Sequence, residues 1–246
     1  MRVLVVGGTG NVGKLVLQQL LERGLEVRAI VRSPQSLPTT ISTNPKLSVI
    51  TASLLDLNED ELVGHVKGCD AVISTLGHNL NYGRIPILGI WAAPQDLVLS
   101  ASKKLCSAIQ KIQPAAPIKY ILLNTTGVSN PAGTDTHVRS GLESVLVSTM
   151  QTLLPPYSDS VLSAQYVSKE IGTENQYIEW TTVRPDGFID GEISEYTLKP
   201  SPEHAFYQPD HTTKANIAHF MCELVVNSDT WNEWKFKMPI IIDAKQ

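Results

Sequence analysis

Short apolar runs punctuate the chain, and most are followed by a turn residue and then a helical period. Val3-Leu4-Val5-Val6 predicts a first strand. Asn11 to Arg23 predicts a helix with Val12, Leu15, Val16, Gln19 and Leu20 on or near one face, stopped by Gly24. Glu26 to Val31 reads as the second strand. Ser33 to Pro45 reads as a polar, proline-bearing loop, and Leu47-Ser48-Val49-Ile50 opens a third strand leading to Leu54-Leu55-Asp56-Leu57. Asn58 is placed to cap a helix through His65. Ala71 to Ser74 and Ile118 to Leu123 are further apolar strands, with a helix from Gln95 to Ile112 between them. Beyond them, residues 138 to 154 have helical periodicity and end at Pro155-Pro156. A second helix runs from Tyr157 or Ser158 to Ile171, and Tyr177 to Val183 is a strand. Residues 190 to 211 look like loop, Thr212 to Val226 like helix, and Lys235 to Ile242 like a last strand. Apolar strands alternating with helices predict an α/β fold, a doubly wound parallel sheet with helices on both faces. We expect one domain over residues 1–246, with loops 78–94 and 187–211 forming a small substrate lobe.

The first turn carries the clearest chemistry. Gly7-Gly8-Thr9-Gly10-Asn11-Val12-Gly13 lies between the first strand and the first helix. Glycine lets the backbone turn sharply and approach phosphates, and the first amides of the helix have no partner within it, so they point at an anion. Two motifs overlap here. Gly8 to Lys14 fits the start of a P-loop, but the Ser or Thr that would hold Mg²⁺ is replaced by Leu15. Gly7-x-x-Gly10-x-x-Gly13 is a dinucleotide spacing, and a strand before it and a helix after it support that reading. The second strand then bears on which dinucleotide is held. Arg32 follows it, 19 residues past Gly13, and no acid occupies positions 27 to 33. Arginine there meets a ribose 2′-phosphate, whereas Asp or Glu would accept from a 2′-hydroxyl. The expected cofactor is NADP(H).

Composition narrows the rest. Apolar residues make up 42% and charged residues 18% of the 246, as in a soluble globular protein. The net charge of −4, with no long basic run, argues against nucleic acid as the main partner. Cys69, Cys106 and Cys222 are odd in number and widely spaced, which suggests a reducing compartment. The six histidines show no metal-binding spacing, so no metal is expected. The first apolar run is too short for a signal peptide, and no stretch is long enough to span a membrane. A cytoplasmic monomer or homodimer acting on a small molecule is the expectation.

Several segments together resemble one family. They are the glycine turn, Arg32, Asp56-Leu57, Thr75-Leu76-Gly77 and Trp180-Thr181-Thr182-Val183-Arg184-Pro185. In this order they resemble the atypical short-chain dehydrogenase/reductases, the NmrA-like and NADPH-flavin or biliverdin reductase-like group. The resemblance covers essentially the whole chain and implies a Rossmann-type sheet holding NADP(H). It implies that Gly7, Thr9, Gly10, Asn11, Val12 and Gly13 cradle the pyrophosphate and that Asp56 and Leu57 lie along the adenine. It further places Thr75, Leu76 and Gly77 by the ribose and pyrophosphate, and Pro185 to Phe188, with Gly187 among them, near the nicotinamide.

Reductases of this group usually pair a Ser or Thr after the fifth strand with a Tyr-x-x-x-Lys on the next long helix. Thr125 fits the hydroxyl, with Thr126 as an alternative. Counting back from Arg184-Pro185 selects Tyr157, but Val161 stands where the lysine belongs. Free tyrosine titrates near pH 10, so it needs a neighbouring cation to act as an acid near neutrality. Tyr166 with Lys169 is a near match, at spacing three instead of four. His78, just past Gly77, is another candidate proton donor. Tyr82, Ile87, Trp91 and Phe188 are candidates for an apolar substrate wall. The leading expectation is an NADPH-dependent reductase of a small hydrophobic or aromatic carbonyl, enone or flavin-like substrate. A non-catalytic NADP(H) sensor and a non-redox isomerase, dehydratase or cyclase are the alternatives.

Overall fold

The computed structural model describes residues 1–78, 94–136, 140–203 and 210–244. Its elements run in chain order β1 (Arg2–Val6), α1 (Asn11–Glu22), β2 (Glu26–Val31), α2 (Thr39–Ser42), β3 (Leu47–Thr51), α3 (Glu59–Val66), β4 (Ala71–Ser74), α4 (Leu97–Ile112) and β5 (Ile118–Leu123). There follow α5 (Gly141–Leu153), α6 (Pro155–Gln165), a π-helical turn over Tyr166–Ile171, β6 (Ile178–Pro185), β7 (Phe188–Ile189), β8 (Tyr196–Lys199), β9 (Thr212–Thr213), α7 (Lys214–Val226), α8 (Ser228–Trp234) and β10 (Ile240–Asp243).

The main sheet has the order β3-β2-β1-β4-β5-β6-β10-β8 and is parallel except for β8. This is the doubly wound arrangement that the alternating pattern predicts. Chain direction of travel through the sheet reverses between β1 and β4, and ligands of such sheets bind outside the carboxyl ends of the strands at that point.

Strand alternation splits the core into two layers. Val3 and Val5 pack into one cluster with Val16, Leu20, Ile217 and Phe220 of α1 and α7. Leu4 and Val6 pack into the other with Leu62, Leu105 and Ile109 of α3 and α4. Successive side chains of a strand point to opposite faces, so an all-apolar strand is what a sheet covered on both sides requires. The three cysteines are free thiols buried in these layers. No helix among the described residues is long and apolar enough to cross a membrane.

Four details depart from the sequence pattern. The loop expected over 33–45 contains a 3₁₀ turn at Pro34–Ser36 and the short α2. The helix expected from Tyr157 or Ser158 begins at Pro155, because proline suits the first helical positions, and it ends in the π turn. The region expected as loop over 190–211 holds β8, which pairs antiparallel with β10. Ser228–Trp234 is helical, and the last strand is confined to Ile240–Asp243. The start of the helix expected at residue 138 lies outside the described residues, and Gly141 is the first helical position seen.

Candidate functional site

Arg32 follows β2, Asp56 follows β3, Gly77 follows β4, Thr125 follows β5 and Gly187 follows β6. These strands are parallel, so their carboxyl ends share one edge of the sheet. The topology thereby gathers candidate residues separated by up to 155 positions along one rim.

The glycine turn is built by contact with that rim. Gly7 has φ +81°, the left-handed region that favours glycine, and a side chain there would meet the Thr75 carbonyl carbon at 2.6 Å. A Cβ at Gly13 would lie 2.1 Å from the Gly7 carbonyl oxygen and 2.7 Å from the Thr75 hydroxyl. Thr75 itself is fixed by its amide and hydroxyl, which donate to the Val6 carbonyl at 3.0 and 3.1 Å. The Gly7 and Thr75 segments, 68 residues apart in sequence, are therefore packed backbone to backbone. Gly10 donates to the Gly7 carbonyl at 2.9 Å and stands at the N-cap of α1 with no side-chain cap. Among the described residues, no acceptor meets the amides of Asn11, Val12 and Gly13, and no acid lies in the first turn. An uncapped helix end with close backbone approach fits a pyrophosphate, which supplies the missing acceptors and the negative charge that the helix dipole favours.

A family model for NAD(P)H-binding matches residues 7–228, nearly the whole chain. The chain belongs to this NAD(P)H-binding family. Part of it is also 39% identical, over 74 residues, to a 3-beta-hydroxysteroid dehydrogenase of Mycolicibacterium neoaurum, a stretch that spans 30% of this chain and 19% of that protein. Among solved structures it resembles the oxidoreductase ylbE of Lactococcus lactis, with a TM-score of 0.67 and 20% identity over all of this chain and 92% of that one. It also resembles a short-chain dehydrogenase/reductase of Veillonella parvula solved in complex with NADP, with a TM-score of 0.68 and 12% identity over 98% of this chain and 94% of that one. These likenesses establish the fold of the NAD(P)H-binding protein.

The rest of the rim can now be placed on this NAD(P)H-binding protein. Arg32 is exposed at the end of β2 and has no hydrogen-bond or ion-pair partner among the described residues. Asp56 is exposed in the turn before α3. Asn58 caps that helix in a reciprocal box with Glu61, both bonds 2.9 Å. The turn is tied from outside by Lys104 of α4, whose ammonium donates to the Leu55 carbonyl and, at 2.8 Å, to the Leu57 carbonyl. Lys104 carries no motif and is found only in three dimensions.

Past β5, Thr125 and Thr126 part ways. The Thr126 hydroxyl donates to Asp186 at 3.0 Å and its amide to the Pro185 carbonyl at 3.2 Å. The Thr125 hydroxyl only accepts, from the Gly127 amide at 3.4 Å, so its own proton is uncommitted among the described residues. Asp186 also accepts from the amides of Gly187 and Asp210, at 3.0 and 3.1 Å. A Cβ at Gly187 would stand 2.5 Å from the Asp210 carbonyl oxygen, so the Pro185–Gly187 turn is closed tightly on the 210–212 segment.

Tyr157 lies half-buried on α6, and its hydroxyl donates to the Gly127 carbonyl. That places it beside Thr125, with its proton engaged by the backbone. Tyr166 sits instead against α4, near Cys106 and with the Lys103 ammonium 5.7 Å from its ring centre. Burial pushes its phenol far above the ordinary value, with Cys106 adding to the rise. Lys169 is exposed. Tyr82, Ile87 and Trp91 fall outside the described residues. Phe188 is present as an exposed ring, 44% accessible, beside Ile189 at 39%.

Two groups have roles that the motifs did not reveal. Arg184 has no exposed surface and forks onto Asp135 at 2.8 and 2.9 Å, while also donating to the carbonyls of Met238, Val128 and Pro200. It clasps the segment after β5 to the sheet and does not face solvent. Asp159 on α6 is buried and accepts from His78 Nε2 at 2.7 Å and from the amides of Val98 and Leu99 at 2.7 and 2.9 Å. Asp159 shares the buried face of α6 with Ser163 and Ala164, where an unpaired carboxylate would be costly, so these partners are what keep it there.

Proposed function

We propose that the protein is an NADP(H)-dependent oxidoreductase acting on a small hydrophobic or aromatic carbonyl compound. One observation carries the reading: the uncapped end of α1, closed against Thr75 by Gly7 and Gly13, at the point where the sheet reverses. The dinucleotide pyrophosphate would rest on Gly10 to Gly13, with Thr9 beside it, and the adenine side would lie toward Asp56 and Leu57. The unpartnered Arg32 would meet the 2′-phosphate. Thr75 to Gly77 would flank the ribose, and Pro185 and Gly187 the nicotinamide. The cofactor would supply a hydride. Thr125 would orient the carbonyl oxygen with its free proton, and Tyr157 would hold the segment that carries Thr125. Exposed Phe188 and Ile189 suit an apolar substrate edge.

Substitution Arg32→Glu tests the cofactor choice. It should raise the NADPH Kd by about 100-fold or more and leave NADH binding within about threefold, since only the 2′-phosphate loses a charge-assisted partner and gains a like charge. Equal losses for both nucleotides would reject the role of Arg32.

A second reading has its own observation. Val161 leaves Tyr157 without the lysine, and the Tyr157 proton is engaged by Gly127. This favours a non-catalytic NADP(H)-binding regulator. Tight NADPH binding without oxidation of NADPH by any aldehyde, quinone or flavin in a broad panel would select it.

A further inference from the structure

Tyr157 leaves the proton supply of the site open, and a second pair of residues answers it. His78 directly follows Thr75-Leu76-Gly77 at the end of β4. Its imidazole is only 4% exposed and is bonded through Nε2 to Asp159, which is itself 1% exposed. The other nitrogen, Nδ1, is buried and meets no hydrogen-bond partner among the described residues. Buried imidazole nitrogens are normally satisfied, so an unmatched one calls for a ligand.

The partners of Asp159 decide which nitrogen carries hydrogen. Amides of Val98 and Leu99 can only donate, so the Asp159 carboxylate is an acceptor. Its bond to His78 is then received from Nε2–H, and in the neutral ring Nδ1 holds the lone pair. The pair is also well placed. Asp159 lies on α6 between Tyr157, which bonds Gly127, and Ser160, whose carbonyl accepts from Asn124 at 2.9 Å. Both of those partners are just past β5, whereas His78 is just past β4. Through α6 the imidazole is therefore tied to the segment past β5 that carries Thr125.

We propose that His78, oriented by Asp159, exchanges the proton of the substrate oxygen. This inference rests on the oxidoreductase reading. In the alcohol direction, Nδ1 accepts the hydroxyl proton. The O–H electron pair would become the second bond of the carbonyl, with the bound oxidised dinucleotide supplying the hydride acceptor for the carbon. In the carbonyl direction the doubly protonated ring would return that proton to the oxygen, the bound reduced dinucleotide supplying the hydride for the carbon, and the ring would be left neutral with Nε2–H still on Asp159. Asp159 touches no reacting atom in this scheme and is a positioning residue.

The test uses wild-type protein, His78→Gln and Asp159→Asn, with NADPH and 4-nitrobenzaldehyde as the carbonyl probe. NADPH binding is measured first, by fluorescence, with no aldehyde present, and reads the cofactor assignment separately. Nitrogen NMR of ¹⁵N-histidine-labelled wild type is recorded without and with 4-nitrobenzyl alcohol, and without and with NADP⁺. The expected results are NADPH Kd values within twofold of wild type in both variants, and kcat lowered roughly 100-fold or more by His78→Gln. The wild-type His78 ring should be protonated at Nε2 and bare at Nδ1, and the Nδ1 resonance should shift when the alcohol is added. Asp159→Asn should mix the two ring tautomers, which a merely structural loss would not do. The proposal is overturned by a His78→Gln enzyme with wild-type kcat, by a ring protonated at Nδ1 alone, or by an Nδ1 resonance unmoved at saturating alcohol. Failure of wild type to bind NADPH would sink the cofactor assignment instead, and the spectra recorded without nucleotide would still decide His78.

Discussion

At the scale of single residues, the site is governed by what cannot fit. Gly13 is confined by the Gly7 carbonyl and the Thr75 hydroxyl, whereas a Cβ at Gly10 would meet only the Gly7 carbonyl, at 3.2 Å. Gly13→Ala must push α1 from β1 or β4, and should cost about 2–3 kcal/mol of stability, the scale of forced overpacking. Gly10→Ala should cost clearly less. Urea unfolding of the two variants checks this, and equal losses would contradict the packing described for Gly13. These glycines were legible in sequence because their spacing reflects local backbone geometry. Asp159 was not, since its histidine partner is 81 residues away. Arg184 was legible only as part of a motif, and its role as a buried clasp depends on Asp135, 49 residues distant.

At the scale of elements, helices and central strands follow the apolar periodicity closely, because each buries a face wide enough to leave a pattern. Short pieces do not. Tyr196 and Leu198 of β8 alternate inward against the core as a strand should, yet Pro200 and Pro202 beside them read as loop. Ser228–Trp234 is rich in polar turn formers, and what makes it a helix is Asn227, whose side chain accepts from the Asp229 and Thr230 amides. Contacts between elements are the least legible of all. Lys104 belongs to α4 but holds the turn leading into α3, through carbonyls on both sides of Asp56. Lys104→Met should loosen that turn and raise the NADPH Kd by about tenfold, or about 1.4 kcal/mol, with kcat at saturating NADPH unchanged. A titration showing unaltered NADPH affinity would separate Lys104 from the adenine side.

At the scale of the whole molecule, the doubly wound parallel sheet and the position of its rim could be anticipated, because alternating strands and helices leave few ways to wind a parallel sheet. The pairing of the two-residue strands β7 and β9 could not, since 24 positions separate them. The bare end of α1 has a further consequence for the molecule as a whole. A helix end completed only by a ligand links occupancy to folding by mass action. Saturation at 100 times the Kd adds about 2.7 kcal/mol to the stability of the folded state. Calorimetric melting of the stripped protein should therefore fall several degrees below that of the NADPH-loaded one, and identical melting points would break the link. Where proteases sample opened chains, the same linkage makes the lifetime of the protein follow the supply of its own cofactor.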